Sequence, residues 1–370
     1  MNRIKRVVGF EYHAIRCMML MNIWWIGTGL YKNPFKSLFV LVKLLRNFRR
    51  MMGGRTLIRA FKVDGKYAWD MFNPAWPSPG FKSFFKRHLI EIKAKPTDNR
   101  ALRRLIVAIT KRCPLACMHC SEAATLYQKD VLSLGEYYHK IDPFVAQGVG
   151  QLVFSGGEPL SRFDDLISLL ERYQNRCDQW VYTSGFGLTL DRAKRLKAAG
   201  LNGVAISLDH FDANEHNAFR GNGHSFDWVD QSVSHCLEVG ILVALNVCPT
   251  RALVDELGVE RIIEWAKNKG VPIVNILEPR AVGNYQDKDI TLNAKQLDHL
   301  WKLSERYNFE KDYVTYPTVL FPAGYRKQMT CGGGRSYIFL DFDGQLYPCP
   351  FCKLPLPKEK VEESLCEAAA

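Results

Sequence analysis

A chain of 370 residues with 47% apolar side chains has the composition of a globular protein, not a disordered one. It exceeds what one small core uses, so a main domain of about 200 residues with smaller appendages is expected. The net charge is +12, and residues 1–55 hold eleven Lys or Arg against the single acid Glu11, which leaves the rest close to neutral. Because these basic residues are interleaved with bulky apolar ones, they suit an anionic membrane surface better than nucleic acid, and no nucleic-acid partner is expected.

In chain order, the first feature is an uncharged run of fifteen residues, Cys17 to Tyr31, which includes Trp24 and Trp25. A spanning helix wants about 20 apolar residues, so this run is too short to cross a bilayer comfortably. From Phe35 to Arg50, Phe35, Leu38, Phe39, Val42 and Leu45 recur at helical spacing, with Lys36, Lys43, Arg46 and Arg50 opposite. That pattern predicts a basic amphipathic helix lying in a lipid interface. The alternative is that the segment packs on the main domain or on a second subunit. Gly53-Gly54 reads as a hinge. Between Leu57 and Met71, two alternating stretches around Asp64-Gly65 predict a hairpin, and the Pro- and aromatic-rich stretch from Asn73 to Phe84 reads as an irregular linker.

After residue 100, β-rich runs alternate with helical ones. The strand candidates are 105–109, 151–154, 180–183, 203–207, 242–247 and 272–277, with helices near 134–147, 163–176, 189–199, 225–239, 253–269 and 293–307. Six strand–helix units in series imply an α/β protein with a parallel sheet. An open doubly wound sheet and a partial barrel both fit this alternation. Polar motifs just after many different strands favour the rim of a partial (β/α)6 TIM-type barrel. The expected division is a basic segment over 1–55, a hairpin and linker over 56–100, a core barrel over 101–308 and a small cysteine-bearing domain over 309–370.

Eleven cysteines could pair, but no signal peptide with a cleavage site is legible near the start, and seven of them fall in two groups with metal-like spacing. A reducing, cytoplasmic setting is therefore expected, with attachment at the inner face of the cell membrane if the basic segment binds lipid. Cys17, Cys177, Cys236 and Cys248 are scattered and read as buried structural thiols. Cys248 follows the fifth strand, where it could also donate a hydrogen atom to a product radical.

Directly after the first strand stands Cys113-Pro-Leu-Ala-Cys117-Met-His-Cys120, the spacing C-x3-C-x2-C. Soft thiolates select iron–sulfur clusters, zinc or copper. Structural zinc wants four ligands, and His119 is awkwardly placed between its neighbours to be the fourth. Three ligands on a four-iron cube leave one iron open to a small molecule. At this point the chain resembles the radical S-adenosylmethionine (SAM) superfamily, in which this loop holds a 4Fe–4S cluster whose open iron chelates SAM. One electron then splits SAM to methionine and a 5′-deoxyadenosyl radical. The resemblance spans roughly residues 103–352.

Further motifs follow in the expected places. Ser155-Gly156-Gly157-Glu158-Pro159 resembles the family's Gly-Gly-Glu-Pro motif. Its two glycines would let a ligand approach the backbone, and Glu158 would accept from the methionine ammonium. Thr183-Ser184-Gly185 occupies the place of the family's Thr-Asn-Gly turn, with Ser184 as a departure. Ser207-Leu208-Asp209 puts a hydroxyl and a carboxylate on one side of a strand end, and the resemblance implies that Ser207 and Asp209 contact the cofactor's ribose and carboxylate. By the same resemblance Arg220 pairs with the methionine carboxylate, a task suited to a guanidinium, and the backbone at His119 meets adenine. Glu278–Gly283 is similar to the family's Pro-x-Gly segment, with longer spacing.

Near the C-terminus, Cys331 is followed by a strand pattern over 337–342, a turn at Asp343-Gly344, and Cys349-Pro-Phe-Cys352. A hairpin would bring Cys331 and Cys349 together across the seventeen residues between them. The spacing Cys331, twelve residues, Gly344, four residues, Cys349 resembles the auxiliary-cluster domains called SPASM and twitch. With Cys352 and Cys366 this implies one further 4Fe–4S cluster, zinc being the rival occupant.

The combined expectation is an enzyme that cleaves SAM reductively and abstracts hydrogen from a substrate, with a flavodoxin or ferredoxin as electron donor. A ribosomal peptide is the first candidate substrate, and a membrane lipid or lipid-linked intermediate the second. A non-catalytic iron–sulfur electron carrier is the rival of another class. The Gly-Gly-Glu-Pro and Ser-x-Asp elements speak against it, since a carrier needs no cofactor pocket.

Overall fold

The computed structural model describes residues 4–92, 102–326 and 331–353. Its centre is a largely parallel sheet of β4 (Arg104–Ala108), β5 (Gln151–Ser155), β6 (Asp178–Thr183), β7 (Gly203–Ser207), β8 (Leu242–Val247) and β9 (Ile273–Ile276). The residues of these strands are largely buried and mostly apolar, as expected of strands covered on both faces. Helices α4 (Leu134–Ala146), α5 (Phe163–Tyr173) and α6 (Leu190–Ala198) follow the first three strands. α7 (Ala213–Arg220) and α8 (Ser225–Val239) follow β7; α9 (Arg251–Asp255) and α10 (Gly258–Lys269) follow β8; α11 (Ala294–Phe309) follows β9.

Strand order separates the two architectures that the alternation allowed. From β4 to β9 each strand lies beside its predecessor, with no reversal of the kind that marks a doubly wound sheet. The fold is α/β with a partial TIM-type barrel. The sheet also runs past residue 308. β10 (Thr318–Leu320) adds parallel to β9, while β11 (Tyr337–Leu340) returns to pair parallel with β4 and forms a hairpin with β12 (Leu346–Tyr347). The short helix α12 (Pro322–Arg326) follows β10.

The N-terminal region is a module with its own core. β1 (Lys5–Val7), β2 (Ala60–Val63) and β3 (Lys66–Ala68) make a small antiparallel sheet, with the expected turn at Asp64-Gly65. α1 (Gly9–Tyr31) and α2 (Pro34–Met51) form a helical hairpin, closed where Ser37 Oγ donates to Trp24 O at 2.7 Å. A helix, α3 (Pro79–Glu91), begins inside the stretch read as an irregular linker and runs past its end, started by Ser78 as N-cap with Pro79 in the first turn. Tyr12, Ile15, Ile23, Val40, Leu41 and Leu44 are buried with Phe81, Phe84, Phe85 and Leu89 of α3.

α3 seats this module on the N-terminal ends of the barrel strands. Gly80 and Gly150 cross so closely that a Cβ on Gly150 would stand 2.5 Å from Gly80 O. Gln151 Nε2 donates to Met71 O at 3.1 Å, and the buried Arg59 guanidinium donates to the carbonyls of Tyr307, Tyr313 and Tyr316. The floor of the barrel is thus covered.

Of the scattered cysteines, Cys177 and Cys236 are buried as expected; Cys17 is exposed, because it falls on the outer side of α1.

Candidate active site at the barrel rim

The loop carrying Cys113, Cys117 and Cys120 leaves β4 at the C-terminal end of the sheet, and three other segments grip it. From the β5 side, Gly157 N donates to Thr110 O and Glu158 N to Arg112 O, both at 2.7 Å. Here a Cβ on Gly156 would lie 2.3 Å from Thr110 O, and one on Gly157 2.4 Å from Arg112 O. The close approach that these glycines permit is to the cysteine loop itself. From α7, the Phe219 and Arg220 carbonyls accept from Met118 N at 3.0 Å and Ala116 N at 3.2 Å. From beyond β9, Asn284 N donates to Cys120 O at 3.0 Å and Asn284 Nδ2 to Cys117 O at 2.9 Å.

The three thiols sense one another's charge and are half to fully buried. Burial pushes Cys113 up to about 12 and raises Cys117 and Cys120. Thiolate at this loop therefore calls for a cation or metal to hold it. Arg220 supplies one such charge, its Nη1 standing 3.6 Å from Cys117 Sγ. Among the described residues, no three Cys, His, Asp or Glu side chains form a ready-made metal-coordinating group.

Asp209, just past β7, is buried in an ion pair with Arg220, and its Oδ1 accepts from Cys248 N at 3.0 Å. Burial alone would raise the Asp209 carboxyl; the Arg220 guanidinium offsets this and holds it below its ordinary value. Asp209 N donates to His216 Nδ1 at 3.2 Å, which requires that ring nitrogen to be unprotonated, and burial lowers His216 to about 4. His119 stacks on Phe219 with ring centroids 4.9 Å apart and is likewise lowered by burial to about 4. Two polar atoms beside this cluster, His119 Nδ1 and Arg220 Nε, are buried without a hydrogen-bond partner. Such orphans, next to three thiols, fit a site that takes a polar cofactor.

Glu158 is buried, and both its oxygens are engaged. Oε1 accepts from Thr183 Oγ1 at 2.7 Å and Leu160 N at 3.1 Å; Oε2 accepts from Ser184 N at 2.8 Å and Ser184 Oγ at 2.6 Å. Ser184 thus serves Glu158 directly, tying the β5 and β6 loops together. Ser207 ends β7 on the same rim.

The sequence matches the Radical SAM superfamily over residues 107–266. Over that stretch, a little under half of its length, the chain is similar to a radical SAM domain. An AdoMet-dependent heme synthase of Nitratidesulfovibrio vulgaris is 25% identical over 271 residues, covering 66% of this chain and 73% of that protein. A GTP 3′,8-cyclase of Nautilia profundicola is 27% identical over 220 residues, covering 57% and 66%. Among solved structures, Streptococcus suis SuiB bound to the precursor peptide SuiA superposes with a TM-score of 0.57 at 15% identity, over 73% of this chain and 64% of SuiB. anSMEcpe with bound AdoMet gives 0.54 at 17%, over 70% and 80%. At these identities the solved structures share the fold; the chain spans somewhat less than two thirds of SuiB's length.

Around this matched region the structure adds residues that motif spacing did not single out. Lys111 and Glu122, which bracket the cysteine loop, form a buried ion pair. Asp341 at the end of β11 meets Lys111 at 2.9 Å, and Lys353, next to Cys352, meets Glu122 at 2.7 Å and Asp341 at 2.8 Å. This four-charge cluster joins the cysteine loop to the C-terminal hairpin. In that hairpin Gly334 N donates to Pro348 O at 3.0 Å and Cys352 N to Cys349 O at 3.2 Å, bringing Cys331, Cys349 and Cys352 into one neighbourhood. Cys366 lies outside the described residues.

Proposed function

We propose that this protein is a radical SAM enzyme that acts on a peptide substrate. The observation that carries the reading is the cysteine loop: three thiols of C-x3-C-x2-C spacing, gripped from three sides, beside a buried arginine. Cys113, Cys117 and Cys120 would hold a 4Fe–4S cluster with bound SAM, which together supply a 5′-deoxyadenosyl radical able to take a hydrogen atom from a substrate. Arg220 and Asp209 hold fixed charge at the edge of the thiol group, and the apolar ring of Phe219 excludes water from His119. Glu158 and Ser184 lock the β5 and β6 loops in register with the cysteine loop.

Cys331, Cys349 and Cys352, with Cys366, are proposed to hold an auxiliary cluster in a SPASM- or twitch-like segment, and a flavodoxin or ferredoxin to deliver electrons. The peptide reading is supported by the shared fold with SuiB, a structure bound to its precursor peptide. The relatives named for haem synthesis and GTP cyclisation show how widely the substrate varies on related sequences.

Anaerobic reconstitution with iron and sulfide, then reduction with SAM present, is expected to yield 5′-deoxyadenosine. Cys113→Ala, Cys117→Ala or Cys120→Ala should abolish it. A cluster-replete protein that makes none would leave the electron-carrier reading in its place, and one that binds only zinc at these three thiols would remove the radical chemistry.

A further inference from the structure

α2 carries two apolar faces. Ser37, Val40, Leu41 and Leu44 are buried against the module's core. Of the five residues picked out by spacing, Phe35, Leu38, Phe39 and Val42 point to solvent, with Phe35 82% and Phe39 71% exposed, and Leu45 is half-buried. α1 repeats the arrangement. Its inner side buries Tyr12, Ile15 and Ile23, while Phe10, Met18, Met21 and Trp25 lie exposed on the outer side, Phe10 at 89% and Trp25 at 62%. At successive offsets of eight, three and four residues, these four occupy one stripe of the helix, and no charged side chain stands among them. Each of the two helices thus presents an apolar stripe to solvent.

Beside the α2 stripe is a groove of about 560 Å³ lined by Arg16 from α1 and by Val42, Leu45, Arg46, Arg49 and Arg50 from α2. Glu11, the one acidic residue before position 56, pairs with Lys5 at 3.1 Å and does not neutralise these arginines. Lys36 and Lys43 flank the α2 stripe. No helix among the described residues is long and apolar enough to cross a membrane.

We infer that the outer face of the α1–α2 hairpin docks on an anionic phospholipid bilayer, with Phe10, Trp25, Phe35 and Phe39 in the acyl boundary and the arginine groove around lipid phosphates. Charge complementarity selects this occupant. An apolar face rimmed by cations is what an anionic interface attracts. A second copy of the same face would instead set arginines against arginines across a two-fold contact. The inference does not rest on the proposed reaction. The module is anchored through α3 on the strand N-termini, so docking holds the cysteine rim at the far end of the barrel from the bilayer. Attachment and substrate choice are therefore separate properties of the chain.

The test is co-sedimentation of the full chain with vesicles of equimolar phosphatidylglycerol and phosphatidylcholine, and with phosphatidylcholine alone. Binding is expected to the anionic vesicles and to fall with added salt. Phe35→Ser with Phe39→Ser should weaken it about tenfold or more, as should Arg46→Glu with Arg49→Glu. All four side chains are exposed, so thermal midpoints should match the parent and report on folding. Brominated acyl chains should quench tryptophan emission in the parent, and less so in Trp25→Phe. A full chain that ignores anionic vesicles at low salt overturns the inference. So does a Phe35→Ser, Phe39→Ser variant that binds like the parent, or one that merely turns a dimer into a monomer with vesicle binding unchanged.

Discussion

Gly283 sits at φ +59 with Cys120 O only 2.1 Å from where its Cβ would stand. Even alanine there must push the cysteine loop away from the segment that clamps it. Gly283→Ala is expected to lower the iron retained per chain after reconstitution, a count that iron and sulfide analysis reads directly. His216 gives a pH signature. Its ring is neutral inside the fold, with burial lowering it to about 4, whereas an unfolded chain protonates near 6.5. The stability it contributes is therefore whole above about pH 6.5 and is lost as pH falls through about 4, a swing of about 3 kcal/mol. His216→Asn, which can still accept from Asp209 N, should flatten the fall in urea midpoint across that window relative to the parent.

At the scale of elements, the charge cluster of Lys111, Glu122, Asp341 and Lys353 joins two segments more than two hundred residues apart. Lys111 is fully buried, and Lys111→Met would leave two buried carboxylates sharing Lys353 alone. Breaking a buried pair from one side costs about 3–5 kcal/mol, and denaturant unfolding should show a loss of that order. Adding Glu122→Gln should recover part of it by removing the uncompensated charge. Nothing local in the sequence marks these partners, since the pairing depends on β11 returning to lie beside β4. The same limit hid α7, a polar eight-residue helix without an apolar stripe, and β10, a strand of three residues. α3 did have a local sign, Ser78 followed by Pro79, masked by the surrounding prolines and aromatics. The six barrel strands and the loops after them were legible because long apolar runs bounded by glycine-rich polar turns leave few other structures open.

For the whole molecule, strand order turned a choice between two sheet architectures into one, and α2 shows what periodicity leaves open. A stripe at helical spacing says that a face is apolar; it does not say that the face is buried. The stripe that reads most clearly in α2 is the one left in solvent, because the inner face of Ser37, Val40, Leu41 and Leu44 already fills the module's core.

α3 packs on the residues that open β5 and β6, so protein occupies that end of the sheet, and a substrate of the cysteine loop would approach from the C-terminal side of the strands. On the proposed peptide reading, a long substrate would lie across that side with its two ends outside, so that reach toward the cysteine loop, rather than overall length, would decide which position is altered.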